Sequence, residues 1–312
     1  MKTILITGIG GDIAQGIATI VRETFPQWRV LGMDIHDRHG GGLFVERVFR
    51  APPVSDSSYG KWMEDLVARE SVDICMPTSE PELIYLSQHA GGVIGRARLV
   101  LANAKAIDVG RDKLRTAEFL ESIGIARPWT VPAEAFGPEI ALPCILKSRR
   151  GAGSKAVFVC RNAGDVEFYR ERYSPAILQE LLLPADQEVT CAVFRSQQGH
   201  VAVVQLLRTL VGGFTGWAQV IDDQAVAAQC TRVAEALDLR GAINVQLRLT
   251  PAGPRIFEIN PRFSSTVLIR HRMGFRDVVW SLQEILGEDV AFQQPAVGTI
   301  GVRVQGAALC HQ

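Results

Sequence analysis

One short stretch, Arg255-Ile-Phe-Glu-Ile-Asn-Pro-Arg262, restricts the possible folds of this chain more than any other. Glu258 and Asn260 lie two residues apart among Ile256, Phe257 and Ile259. Side chains at i and i+2 of a strand point to one face, so a carboxylate and an amide project together from a segment otherwise suited to burial. Upstream, residues 244–250 form a second strand-like run, and Pro251-Ala252-Gly253 separates the two. A three-residue hairpin loop with Gly253 at positive φ sets Thr250 against Pro254, and that register sets Gln246 opposite Glu258. Three oxygen donors then converge on one patch of sheet, with Arg262 just beyond it. Without histidine or cysteine, this donor set suits Mg²⁺ held jointly with phosphate oxygens. A surface hairpin that merely carries polar residues is the competing reading.

Length and charge narrow the class. The 312 residues, 47% hydrophobic and 21% charged, suffice for two or three domains with a sizeable core. Lys+Arg and Asp+Glu balance at 33 each, which leaves no net basic footprint for nucleic acid. No apolar run reaches transmembrane length, so no membrane partner is expected. The six cysteines are scattered without a C-x-x-C pair, the usage of a reduced, cytoplasmic protein. The charged start Met1-Lys2 runs directly into a strand and turn rather than a signal peptide.

The first hundred residues alternate strand and helix. Thr3–Thr7, 30–34, 72–76 and 98–101 read as strands, with helices near 13–21, 59–69 and 80–89. This pattern predicts a doubly wound α/β unit with a parallel sheet. The turn Gly8-Ile-Gly-Gly-Asp12 only partly fits a dinucleotide fingerprint, because Ile13 holds the position of its last glycine. Asp34 stands where that fingerprint has its ribose acid. Three readings remain open for the turn: NAD binding, an anion or substrate site, or a structural bend. Thr78, Ser79, Glu80 and Glu82 follow a strand end and are candidates for substrate contact. Ser79 and Glu82 also match a helix capping box.

From about residue 115 the pattern turns to antiparallel strands with helices, an α+β arrangement. Asp112-Lys113 opens a helix that stops at Gly124. Residues 143–147 and 156–160 read as strands flanking Ser148-Arg-Arg-Gly-Ala-Gly-Ser-Lys155, whose glycines allow close backbone approach to phosphate. Further strands are expected at 176–180, 188–194 and 201–207, a loop at 208–216, and an amphipathic helix at 222–237. Residues 300–304 suit a last strand.

These residues, in this order, resemble the ATP-grasp superfamily: Asp112-Lys113, Lys147 with Arg149–Ser154, Gln179-Glu180, Glu188-Val-Thr, Gly213-Phe-Thr-Gly216, Asn244-Val-Gln246 and Glu258-Ile-Asn260-Pro-Arg262. The likeness is to the ATP-binding halves of carbamoyl-phosphate synthase large chains and to carboxylate–amine ligases. It implies an α/β N-terminal pre-ATP-grasp domain with a Rossmann-like parallel sheet at 1–111. A small ATP-grasp lobe at 112–183 and a large lobe with the metal site at 184–312 complete the implied α+β part. It implies ATP and Mg²⁺ as cofactors, with Mn²⁺ as a substitute. Lys113, Lys147, Arg150 and Ser154 would hold phosphates, Gln179, Glu180 and Leu182 the adenine, and Glu188 the ribose. Gln246, Glu258 and Asn260 would bind the metal, and Arg262 would meet the transferring phosphoryl group. Ser148, Ala152 and Gln246 depart from residues common in relatives, and Gln246 weakens one metal position.

The reaction implied is carboxylate activation as an acyl phosphate followed by attack of an amine, with small-molecule substrates. Alternatives are a phosphotransferase or carboxyphosphate-forming enzyme and, in another class, a dinucleotide-binding reductase or sensor. Arg270, His271 and Arg272 are candidate carboxylate contacts, with a surface helix as the alternative place for His271. A homodimer is compatible with the sequence but not specified by it.

Overall fold

The structure is a computed structural model and describes residues 1–88, 92–151, 156–304 and 306–309. The first sheet contains β1 (Thr3–Thr7), β2 (Arg29–Asp34), β3 (Arg47–Arg50), β4 (Ile74–Met76), β5 (Val93–Ile94) and β6 (Ala97–Leu99), in the order β3-β2-β1-β4-β6-β5. All pairings are parallel except β5 with β6. β1 is buried at every residue, as expected for a parallel strand covered on both faces. Helices α1 (Asp12–Thr24), α2 (Tyr59–Arg69), α3 (Glu80–Leu86) and α4 (Ala104–Gly110) complete this part.

After α5 (Lys113–Ser122), the second sheet is formed by β7 (Thr130–Pro132), β8 (Cys144–Ser148), β9 (Val157–Cys160) and β10 (Ala176–Glu180), with α6 (Ala163–Arg172) packed on it. The third sheet runs β15-β14-β11-β12-β13-β16. Its strands are β11 (Glu188–Arg195), β12 (Val201–Val211), β13 (Phe214–Ile221), β14 (Gly241–Thr250), β15 (Gly253–Asn260) and β16 (Ile300–Val302). Helix α7 (Gln224–Ala236) covers one face, while α8 (Val267–Arg272) and α9 (Asp277–Leu286) lie on the other.

Two cores fix how these layers meet. Ile4, Ile6 and Ile17 from the first sheet and α1 share a core with Phe194, Val204, Leu206 and Trp280. Gly16 lets α1 approach α8, since a Cβ there would stand 2.9 Å from a Val267 methyl. On the opposite face of the third sheet, Leu120 of α5 packs with Val233, Val245 and Ile259. The first residue of α5, Lys113, is thereby carried to the end of β15.

Two expectations are corrected here. Residues 208–216 are not a loop: β12 and β13 continue as a hairpin through Val211 and Phe214, turning at Gly212-Gly213 with φ of +59° and +84°. The alternating apolar residues of this segment pair as strands, and the two glycines alone supply the turn. The hairpin of β14 and β15 also differs at its tip. Thr250 pairs with Gly253 and Leu249 with Pro254, so the turn is shorter by one residue than expected. Gln246 nevertheless faces Glu258, because Phe257 is an unpaired bulge residue that restores the offset. Gly253 has φ of +99°.

Candidate active site

The bulge at Phe257 determines which side chains face outward. Ile256 and Ile259 point into the core under the third sheet. Phe257, Glu258 and Asn260 line a cleft of about 640 Å³ between the second and third sheets. A regular strand would have put Ile256 and Glu258 on the same face. Lys113, Lys147, Arg150, Gln179, Glu180, Leu182, Glu188, Gln246 and Arg262 line the same cleft. Every described residue that the resemblance assigns to nucleotide, metal or transferring phosphoryl group is therefore gathered in one place. Ser154 lies outside the described residues.

Cations surround the Glu258 carboxylate. Lys113 Nζ is 3.9 Å from Glu258 Oε1 and donates to the Gly151 carbonyl at 2.7 Å. Lys147 is buried on β8, its ammonium 5.4 Å from the centre of the Phe257 ring. Burial, helped by nearby Lys113, pushes Lys147 down to about 8 against the attraction of Glu258 and Glu188. Glu258 is held below the usual carboxylate range by Lys113, Lys147, Arg262 and Arg208, which outweigh its own burial. Arg262 donates to the Phe263 carbonyl at 2.9 Å and lies 3.5 Å from the Asn260 amide oxygen.

The positions of these groups follow from local structure. Asp112 caps α5, accepting from the N–H groups of Leu114 and Arg115 at 3.0 and 3.3 Å. The same carboxylate binds Arg149 Nε at 2.9 Å, so Arg149 anchors the strand-to-loop junction to the helix start. Arg150 is more exposed and lies 3.6 Å from Asp112. Gln179 donates to Thr130 Oγ1 at 2.9 Å, and Glu180 pairs with Arg255 at 2.9 Å.

Two arginines were missed on sequence grounds. Glu188 Oε1 accepts from Arg208 at 2.7 and 3.0 Å, while Oε2 accepts from Arg248 at 2.8 Å. Both arginines also line the cleft. Arg208 stands in the segment read as a loop, whereas a strand reading would have placed it two positions from Leu206 and Leu210. At the cleft mouth, Arg303 joins Asp12 Oδ2 at 3.2 Å to the Ser265 carbonyl at 2.5 Å. Asp12, Ile13, Ser264 and Ser265 all border the cleft.

Other candidates have different roles. Glu82 is buried and accepts from the hydroxyls of Ser79, Thr7 and Tyr59 at 2.5, 2.6 and 3.0 Å. Its carboxylate is thus engaged by three protein hydroxyls, and Ser79 forms no side-chain cap bond to a helix N–H. Glu80 does approach the site: Gly151 N–H donates to it, and it feels Lys113 and Arg262 while burial raises its carboxyl. Asp34 accepts from Gly10 N–H and His36 N–H, both at 2.9 Å, so the first turn satisfies the acid that resembled a ribose ligand. Gly8 adopts φ of +62°, and a Cβ there would lie 2.8 Å from Thr78 Oγ1.

The Arg270-His271-Arg272 run does not converge on the cleft. Arg270 is buried against Asp277, with contacts of 2.7 and 3.0 Å, and also reaches Ser264 and Thr266. Arg272 pairs with Glu23. His271 is buried rather than on the surface, and burial among three arginines pushes it down to about 4. Helix α8 packs against α1, which converts this nominally polar turn into an interior one.

Known proteins agree with this architecture. The family model described as ATP-grasp in the biosynthetic pathway with Ter operon matches residues 173–307. A carbamoyl phosphate synthase large chain from Gemmatimonas aurantiaca is 26% identical over 267 residues, covering 74% of this chain and 24% of that one. The chain thus spans about a quarter of that relative's length. N5-carboxyaminoimidazole ribonucleotide synthetase, solved as an ADP complex, superposes with a TM-score of 0.76 at 19% identity, covering 96% of this chain and 80% of that one. An L-amino acid ligase from Bacillus licheniformis gives 0.72 at 18% identity, covering 92% and 74%. Among the described residues, no helix is long and apolar enough to cross a membrane. The chain has an ATP-grasp fold and is similar to carbamoyl-phosphate synthase large chains and to carboxylate–amine ligases.

Proposed function

We propose that this chain is an ATP-dependent ligase that activates a small-molecule carboxylate as an acyl phosphate and joins it to an amine, releasing ADP and phosphate. The observation that carries this reading is the cleft itself, where Lys113, Lys147, Gln246, Glu258, Asn260 and Arg262 line one cavity. Two amide oxygens and one carboxylate are hard donors that fit Mg²⁺ shared with phosphate groups. Mg²⁺ held there would neutralise phosphate charge. Lys113 and Lys147 bind and orient the phosphates, and Arg262 faces negative charge that develops on the transferring group. Phosphoryl transfer depends mainly on such positioning, so no protein nucleophile is required.

Gln179, Glu180 and Leu182 line the side of the cleft formed by β10 and the turn after it, in keeping with the adenine. Glu188, fixed by two arginines, is placed in this reading at the ribose. The proposed units are 1–111, 112–183 and 184–312. The carboxylate and amine would meet near Asp12, Glu80 and Arg262, where the first sheet faces the cleft. The test is an ADP-release screen over carboxylate and amine pairs with hydroxylamine present. The expected result is carboxylate-dependent hydroxamate. ADP release without any hydroxamate or amide would turn the assignment toward a simple phosphotransferase.

A further inference from the structure

A second cavity of about 450 Å³ lies behind Pro261–Phe263, the segment that carries Arg262 into the cleft. It sits beyond the carboxyl ends of β4 and β6, bordered by Pro77 and by Leu99–Leu101. Open α/β sheets bind ligands at such strand ends, and this volume falls in the range of small-molecule pockets. Two helices present matched faces to it. Leu83, Leu86 and Ser87 come from α3 and its cap, and Ser281, Glu284 and Ile285 from α9. Each set follows the i, i+3, i+4 spacing of one helical face.

The charges in this cavity are arranged unlike those of the cleft. Arg98, Arg240 and Glu284 all border it. Among the described residues, none of the three is in an ion pair. Arg98 Nη1 donates to the Ile285 carbonyl, which holds its guanidinium beside α9. Arg240 is fixed through its main-chain N–H, which donates to Asn103 Oδ1 at 3.2 Å, while Asn103 Nδ2 donates to the Leu237 carbonyl at 3.0 Å. Glu284 Oε1 accepts from Gln197 N–H at 2.6 Å. Cations and a carboxylate thus share one pocket without neutralising each other, around apolar walls from Leu83, Leu86 and Phe263. Arg98 and Arg240 are exposed and Glu284 is half-buried, so the three charged heads stay open to a small ligand entering from solvent, with apolar residues beside them.

We propose that this cavity binds a free α-amino acid with an apolar side chain. Its carboxylate would pair with Arg98 and Arg240, its ammonium with Glu284, and its side chain would cover the leucines of α3. The site is separate from the nucleotide cleft, shares only the Arg262 segment with it, and does not depend on the ligase assignment.

The test is equilibrium binding to the full chain without nucleotide, using L-leucine, L-methionine and L-phenylalanine as probes. Isocaproate, which lacks the ammonium, and isoamylamine, which lacks the carboxylate, serve as controls. At least one amino acid should bind saturably, and both single-charge analogues of leucine should bind about tenfold or more weakly. Arg240→Ala should weaken the amino acid about tenfold and leave isoamylamine unchanged. Glu284→Gln should weaken it similarly and leave isocaproate unchanged. ADP affinity, which should be the same in both variants, reports that the fold is intact. Absence of binding by all three amino acids, equal binding of the analogues, or affinity insensitive to both substitutions would overturn the proposal.

Discussion

Two glutamates, one buried and one half-buried, show how this fold separates structure from chemistry. Glu82, 6% exposed, is enclosed by three hydroxyl donors from β1, α2 and the residue before α3. Glu258 makes no such hydroxyl contacts among the described residues; it faces a cavity and is balanced by cations at longer range. Burial raises the Glu82 carboxyl, whereas the cations around Glu258 hold its carboxyl low. A carboxylate with every partner supplied by the protein ties elements together. One whose charge is compensated without being capped remains available to a ligand. The same contrast divides Arg270, locked to Asp277, from Arg262, which faces the cleft.

The largest effects should come from the cleft. Glu258→Ala is expected to reduce ATP turnover by about a thousandfold or more, the scale of losing a preorganised charge-stabilising group, with an unchanged circular dichroism spectrum. Arg262→Met should lower turnover comparably and barely change the melting temperature. Arg270→Met should do the reverse. Removing one partner of a buried ion pair costs about 3–5 kcal/mol, so its chemical denaturation midpoint should fall sharply. If Arg270→Met folded normally and lost turnover, the division between the two arginines would be wrong.

A smaller loss is expected for Glu82→Gln. Three hydroxyls would lose a charged acceptor, at a cost of about 1–3 kcal/mol in stability. Turnover measured well below the melting temperature should stay within about twofold of the parent, an effect under 0.5 kcal/mol. Smaller again is a pH effect on nucleotide affinity. Lys147 is cationic below about pH 8 and neutral above it. Phosphate needs the cation, so ADP affinity should decline as pH rises through about 8. Lys147→Arg stays charged across this range and should flatten the profile. An unchanged slope in that variant would remove Lys147 from phosphate binding.

Much of the site could be read from residue order, though not always for the reason given. Gln246 does face Glu258, but the expected turn was a residue too long and the bulge at Phe257 offset it. Period-two reasoning has no means to foresee a bulge, because the extra residue leaves the local hydrophobic alternation readable either way. Resemblance to the ATP-grasp superfamily, rather than spacing, singled out Lys113 and Lys147, and both line the cleft. Spacing did not find Arg208 and Arg248, because their shared partner Glu188 lies 20 and 60 positions away and meets them only through strand pairing. Glu82 and His271 failed for a related reason. The sequence puts Glu82 after a strand end and in a capping box, and His271 on a surface helix; neither reading can foresee that packing from distant segments buries both. The strand β3, the short helix α4 and helix α6 also escaped, since each is short or weakly patterned and is stabilised by its neighbours.

The account rests most heavily on Glu258 as a metal-binding carboxylate in a nucleotide cleft. Titration of ADP into the protein, with and without Mg²⁺, tests this directly. Mg²⁺ should tighten ADP binding to the parent chain and to Glu82→Gln, and that gain should vanish in Glu258→Ala. A Glu258→Ala protein that binds ADP with unchanged affinity and unchanged Mg²⁺ dependence would contradict the account.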